Sequence, residues 1–505
     1  MPEVRHNLLI EPIFGVEWPD GRREGLSLPD VLARLGDGAP IEFTALQAHQ
    51  MHAWHAFLVQ LAAIAVHEAG DGSVRRDAEN FRGLLRALTG GREEPWCLLV
   101  EELSQPAFMQ PPVPEGSIEK WKNATASPDE IDLLVTAKNH DVKMRRARRP
   151  CLEHWAYALV SIQTMEGFGG RKNYGIARMN GGYGNRPCIA VAHDATWATR
   201  FRRDTSLLLD RRKGVVDSYG YRPEDGHRLL WLLPWNGAAR VGVAECDPFF
   251  IEVCRRIRLT TSGKALMARW TGSEAQRLDA EDRKGDLGDL WTPIRIKDGA
   301  ALTAKGLDYE TLQEVLFGSD WRPSPASVPC SADGEAPIVV ARVLARGQGG
   351  TEGLHERLIP VPRKARSLFG TPEGRDRLGS LSRQRVELIV TVRSKVLYPA
   401  LRALTESPAP FTRALDDRVD AIFFERLFAD VDEEPAAAGR DFAARVLGLA
   451  REILSEATES LPLPTARRYR AITAAERIFV GAARKRFPDA YPLRGEQVDD
   501  RSVAP

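Results

Sequence analysis

His49, His52 and His55 fall at every third position of "HQMHAWHAF", and His67 follows on the same apolar run. A spacing of three can set two imidazoles on one helix face, where they could share a metal ion. No carboxylate lies inside the cluster, and Trp54, Phe57 and Leu58 surround it. Buried histidine on an apolar helix is therefore the expected state. His67-Glu68 runs on into Ala-Gly, which breaks the two-histidine zinc-protease pattern. His140-Asp141 has no second half, no Gly-x-Ser-x-Gly elbow occurs, and no cysteine stands in a nucleophile context. These residue types assemble no catalytic constellation, and no metal or cofactor is expected.

A different chemistry is suggested by "GFGGRKNYGIARMNGGYGN", residues 167–185, in which seven of nineteen residues are glycine. Glycine loses the most entropy on folding, so a cluster this dense is costly to order. Close approach of the backbone to a phosphate or to another chain is the usual compensation, although a loop of tight turns has the same composition. The stretch matches neither phosphate-loop template: G-x-x-x-x-G-K-[ST] is absent, and Gly167-Phe-Gly169-Gly170 leads into Arg171-Lys172 where a dinucleotide fingerprint needs glycine. Between Lys138 and Arg186 there are ten Lys/Arg against three Asp/Glu, a net of +7 in 49 residues, while the whole chain carries only +1. Any contact with nucleic acid is thus local.

Such a patch needs a scaffold. At 505 residues, 43% hydrophobic and 28% charged, the chain reads as a folded, soluble protein of two or three domains. The first residues, "MPEVRHNLLIEPIFGVEWPDG", place Pro, Glu and Asp where a signal peptide needs an apolar core, and no run approaches the roughly 20 residues of a membrane span. Six scattered cysteines without a CxxC pair argue against disulfides or cysteine zinc sites, so the reducing cytoplasm is the expected compartment.

From Thr371 the texture becomes helical: a Thr cap, Pro372 at the first position, then apolar spacing to about residue 405. Helices follow at about 413–431 (Leu415, Val419, Ile422, Phe423, Leu427), 436–460 and 465–487, punctuated by Pro408, Pro410, Pro435, Pro462 and Pro464. Residues 371–490 are predicted to form a four-helix bundle, with 491–505 a flexible tail. Residues 1–370 read as one large irregular α+β domain. It has helices at about 43–69 and 77–89 and strand-like runs at 337–346, 237–245 and 290–296.

Eight segments then occur in one order: "NLLIEPIFGVEWPDGRREGLSLPDVL", "QPAFMQ", "LLVTAKNHDVK", "GFGG", "ECDPFFIEVCRRIRL", "KGDLGDLWTP", "ARGQGGTEGLHER" and "RRYRAITAAERIF". Together they resemble the CasA-type large subunit of type I-E CRISPR Cascade complexes along nearly the whole chain. That family has a large α+β domain followed by a four-helix bundle. The resemblance implies a non-enzymatic subunit that works with other Cascade subunits and their guide RNA. It would recognise the protospacer-adjacent motif in double-stranded DNA, help open the duplex and receive a helicase-nuclease.

It also implies roles for particular residues. Gly167, Phe168, Gly169 and Gly170 would lie against the minor groove, whose readout is degenerate, with Arg171, Lys172 and Arg178 on flanking phosphates. Gly181–Gly184 reads as a turn. Lys284 aligns, across a small gap, with a minor-groove lysine, against the alternative of a solvated loop residue. Lys138, Asn139, His140, Lys143, Arg145 and Arg146 match a loop that anchors the subunit at the guide-RNA end, with Arg148 and Arg149 adding charge. A hairpin that enters the duplex beside the motif corresponds to Gln348, Gly349, Gly350 and Thr351, with Gln348 and Thr351 both open as the inserting residue. The clustered zinc-type cysteines of some members are absent. A stand-alone enzyme and a general RNA-binding scaffold are the competing classes.

Overall fold

The computed structural model describes residues 6–132 and 150–491, apart from 264, 304–305, 331–332, 335, 348–349 and 461–464. All but the first residue of the predicted tail lie outside the described residues. Two compact units are present: Met1–Leu307 with Asp320–Leu358, and Asp308–Ser319 with Ile359–Pro505.

The first unit is organised around the helix Met51–Ala69, in which every residue from His52 to Val66 is buried. A helix apolar on all sides has no solvent face to offer and runs through a core. It is shorter than the predicted 43–69, because Glu42–Phe43 pairs as a short strand with Phe14–Glu17 and Ala48–Gln50 forms a 3-10 turn. Phe14 and Tyr157 each bring a ring to 5.0 Å from Trp54, and Phe57, Phe108 and Trp231 continue the aromatic packing. Each fully buried aromatic or aliphatic side chain of this kind contributes about 1.5–3 kcal/mol. The helices Leu152–Thr164 and Trp197–Tyr219 pack on this central rod, the latter capped by the Thr196 hydroxyl, which accepts from the Thr199 amide.

Two three-stranded sheets adjoin the glycine-rich stretch. In one, Ile338–Gly347 lies between Gly350–Pro360 and Cys188–Ala192, and its antiparallel register sets Ile338 opposite Ala192 and Arg342 opposite Cys188. In the other, Ala265–Thr271 lies between Asn123–Thr125 and Arg256–Ser262. The predicted strand at 337–346 is thus present. The runs 237–245 and 290–296 yield only Val241–Gly242 and Ile294–Arg295. Gly237 adopts φ +94° and Pro293 has no amide to give a ladder, so neither run extends.

The second unit is helical. Thr371 caps Pro372–Thr391 by accepting from the Gly374 amide, and Pro372 takes the first turn. The helix widens into a π-helical turn at Val392–Leu397 before Tyr398–Arg402, where Pro399 has no amide to return. Ala409–Ala429, Pro435–Ser460 and Thr465–Arg486 complete the helical run. Leu415, Val419, Phe423 and Leu427 are buried as the spacing predicts, while Ile422 is half-buried. The helix Tyr309–Phe317 belongs to this unit: the Tyr309 ring sits 4.9 Å from Phe423, and its amide donates to Asp420 at 2.7 Å. The chain is therefore α+β, with sheets in the first unit and helices ending the second.

Candidate nucleic-acid interface

The helix Leu152–Thr164 ends at Met165 and feeds directly into the glycine loop. There the chain folds on itself. The Gly167 amide donates to Gly184 O and the Phe168 amide to Gly182 O, both at 2.8 Å, which joins the two glycine clusters. A methyl group on Gly167 would stand 2.5 Å from Gly182 O, and one on Gly175 would stand 2.4 Å from the Gly167 carbonyl carbon. Gly181, Gly182 and Gly184 hold left-handed backbone at φ +61°, +81° and +89°. At Gly167 and Gly175, then, glycine is required by contact of the loop with itself. Gly170, at φ +106°, faces open space instead, as do Gly181 and Gly182.

Beneath the loop lies a polar floor. Gln163, fully buried, donates to Met109 O and Arg255 O and accepts from the Cys254 and Arg255 amides, so all four capacities of its amide are used. Arg255, fixed in this way, donates to Gly167 O at 2.8 Å and to Tyr174 O. On the far side, the Ala177 amide donates to Glu252 at 2.6 Å, and Arg178 is held by Phe250 O (3.1 Å), the Phe250 ring (3.8 Å) and Glu252 (3.6 Å). Burial raises the Glu252 carboxyl above its usual range, with Arg178 opposing. The expectation that Arg178 meets phosphate is corrected here: it is 5% exposed and part of the floor.

The upper surface of the loop is cationic. Arg171 and Lys172 are exposed, and Phe168, half-buried, lies 6.3 Å from the Tyr174 ring and 5.9 Å from that of Tyr183. Gly169 is half-buried against Arg255. Lys172 adopts φ +68°, and its carbonyl accepts from the Ser273 amide at 2.8 Å. Lys284, more than a hundred residues away in sequence, is exposed at φ +49° with its ammonium 3.3 Å from Asp298 O. The next residue, Gly285, packs so closely on Met179 and Asn180 that a methyl group there would stand 2.8 Å from the Met179 carbonyl carbon. As a result Phe168, Gly167 and Lys284 line one concavity, together with Glu281, whose carboxylate is paired with Arg240. Lys284 at this glycine-edged hollow, and exposed Arg171 and Lys172 elsewhere on the loop, can hold phosphate oxygens and offer donors to acceptors in a groove.

Arg346, at the end of the strand Ile338–Gly347, ties the neighbouring segments together. It is 5% exposed, pairs with buried Glu166 at the entrance to the glycine loop, and donates to Asp132 O at 2.8 Å. The Asp132 carboxylate is bonded by His49 (2.9 Å) and by Gln50 (2.7 Å). His55 turns to a different carboxylate, Asp204, at 2.8 Å. His49 and His55 thus turn to separate carboxylates, while among the described residues neither ring nitrogen of His52 between them is bonded. Lys138, Asn139, His140, Lys143, Arg145 and Arg146 lie outside the described residues, in 133–149. So do Gln348 and Gly349, while Gly350 and Thr351 begin the strand Gly350–Pro360. Asp132 and Arg346 thus bring the approach to 133–149, the glycine loop and the foot of the hairpin to one place.

Gln163, Glu166, Arg255 and Arg346 were not singled out by sequence reasoning. Their partners lie up to 214 residues away, and no local pattern marks them.

No protein-family model matches the chain, and no curated protein matches its sequence. Solved structures do share its architecture. The CRISPR-associated protein Cse1 from Acidimicrobium ferrooxidans is 16% identical, with 97% of this chain and 100% of that one covered at a TM-score of 0.63. The chain has the Cse1 fold. Thermus thermophilus CasA, also named Cse1, gives 15% identity, 96% and 100% coverage and a TM-score of 0.63. Thermobifida fusca Cse1 gives 15%, 96% and 99%, and 0.62. The Cse1 likeness runs through both units, and no helix among the described residues is long and apolar enough to cross a membrane.

Proposed function

We propose that this chain is the large subunit of an RNA-guided, type I-E CRISPR surveillance complex. In this reading it works in the cytoplasm without catalysis of its own, alongside the other Cascade subunits and their guide RNA. It recognises the protospacer-adjacent motif in double-stranded target DNA, helps open the duplex and presents a surface to the helicase-nuclease. The observation that carries the reading is the shared concavity of Phe168 and Lys284, on the same glycine loop that exposes Arg171 and Lys172 and whose entrance at Glu166 is tied to the hairpin foot by Arg346. Protein contacts there would read the short motif, while guide pairing reads the target. The half-buried Phe168 and the open α-carbon of Gly170 suit a shallow groove edge, and the exposed cations suit the phosphates beside it.

The test is assembly. Co-expressed with the remaining subunits and a guide RNA, the chain should elute with them as one stoichiometric ribonucleoprotein. Elution apart from an otherwise complete complex would contradict the proposal.

A further inference from the structure

An enclosed space lies under the sheet where Arg342 sits opposite Cys188, walled by His52, His55, Arg200 and those two residues. Each of the five is at least nine-tenths buried, Arg200 and Arg342 at 5% exposure and His52 at 1%. The wall is rich in donors that have nothing to bond. Among the described residues, the Arg200 guanidinium makes no hydrogen bond or ion pair, and its Nε is buried without a partner. Arg342 gives Nη2 to Glu356 at 2.9 Å, which leaves Nε and Nη1 unbonded. Neither ring nitrogen of His52 has a partner, and one of them carries a hydrogen in either neutral tautomer.

Negative charge nearby is already committed. Asp204 accepts from Arg203, His55 and Trp291. Cys188 is a neutral thiol, its pKa pushed up to about 12 by burial. Burial and the neighbouring Arg342 bring the Arg200 guanidinium down to about 10, which still leaves it charged at neutral pH. Arg342 is paired with Glu356, so among the described residues Arg200 is left as the buried guanidinium without an ion-pair partner, a state that is strongly unfavourable. The centre of a water-sized sphere has about 10 Å³ in which to move here, room for one atom-sized occupant and too little for phosphate, sulfate or a carboxylate.

We propose that this cavity binds a single monatomic anion, chloride in the cell, held by the unbonded N–H groups of Arg200, Arg342 and His52. Such an ion offsets the unpaired charge where the strand Ile338–Gly347 shares the cavity with His52 and His55 of the central helix. The rival occupant is a water molecule, which could donate to the bare Nδ1 of His55, since Nε2 of that ring is engaged by Asp204.

Anomalous scattering separates the two without any substitution. Crystals of the full-length chain grown in sodium bromide should show an anomalous peak within bonding distance of Arg200 and Arg342. Density there without anomalous signal, or an empty cavity, overturns the site. In solution, the unfolding midpoint of the full-length chain at fixed ionic strength should climb as chloride replaces gluconate over about two decades of concentration. Arg200→Met, which keeps the side-chain stem, should flatten that response. A wild-type midpoint indifferent to chloride overturns the proposal, whether or not the variant folds.

Discussion

Lys172 and Lys284 are two of the five described non-glycine residues with positive φ, the others being His6, Met109 and Asp225. A side chain in left-handed backbone costs about 1 kcal/mol, and such positions gather where surrounding structure holds a residue for use. Lys172→Gly should relieve that strain and hold or raise stability by up to about 1 kcal/mol in chemical denaturation. In the assembled complex the same change should weaken duplex binding and make the logarithmic salt slope shallower by about one phosphate contact. An unchanged slope would assign Lys172 to loop geometry alone. Gly167→Ala is a different experiment, because its methyl group collides with Gly182 O inside the loop. It should lower stability as well as binding, by about 1 kcal/mol or more in thermal unfolding.

At the scale of elements, the glycine loop is only as ordered as its floor. Arg255→Met removes the donor to Gly167 O and Tyr174 O and should cost about 1–3 kcal/mol, read as faster amide exchange across 167–176. Exchange no faster than wild type would mean that the 167–184 backbone pairing suffices by itself. Arg346→Met should cost more, about 3–5 kcal/mol in denaturant unfolding, because it strands Glu166 as a buried carboxylate. Burial already raises the Glu166 carboxyl, with Arg346 and then Arg255 opposing. Local patterns were legible in the sequence: the Thr371 cap, Pro372, the spacing from Leu415 to Leu427, and the basic, glycine-rich character of 167–185 all have physical counterparts. What joins distant segments was not legible. The pairing of Glu166 with Arg346 and the grip of Arg255 on Gly167 depend on how the sheets fold back, and residues 308–319 join the second unit by the same long-range logic. Arg178 misled for this reason: its neighbours in sequence are a basic loop, but its neighbours in space are Phe250 and Glu252.

For the molecule as a whole, the net charge of +1 means that the isolated chain should bind DNA weakly and with steep salt dependence. Its acid sensitivity has a definite sign. Burial lowers His52 to about 3 and His55 to about 4 from 6.5, so the unfolded chain takes up protons that the folded chain refuses. Their contribution to stability is complete above about pH 6.5 and falls by up to about 1.4 kcal/mol per pH unit per histidine as pH drops toward those values. Glu166 and Glu252, raised in the folded state, offset part of this. At fixed chloride, His55→Gln should therefore reduce the dependence of unfolding free energy on pH between about 6.5 and 4. The central claim, that the loop and Lys284 read a short motif in duplex DNA, meets its most direct test in the reconstituted complex. The measurement compares wild type with a combined Arg171→Ala, Lys172→Gly and Lys284→Ala variant on motif-bearing duplex, motif-free duplex and bare single-stranded target. The account predicts a loss of tenfold or more, about 1.4 kcal/mol, on the motif-bearing duplex, with single-strand binding unchanged. An intact duplex affinity, or an equal fall on duplex and single strand, would contradict it.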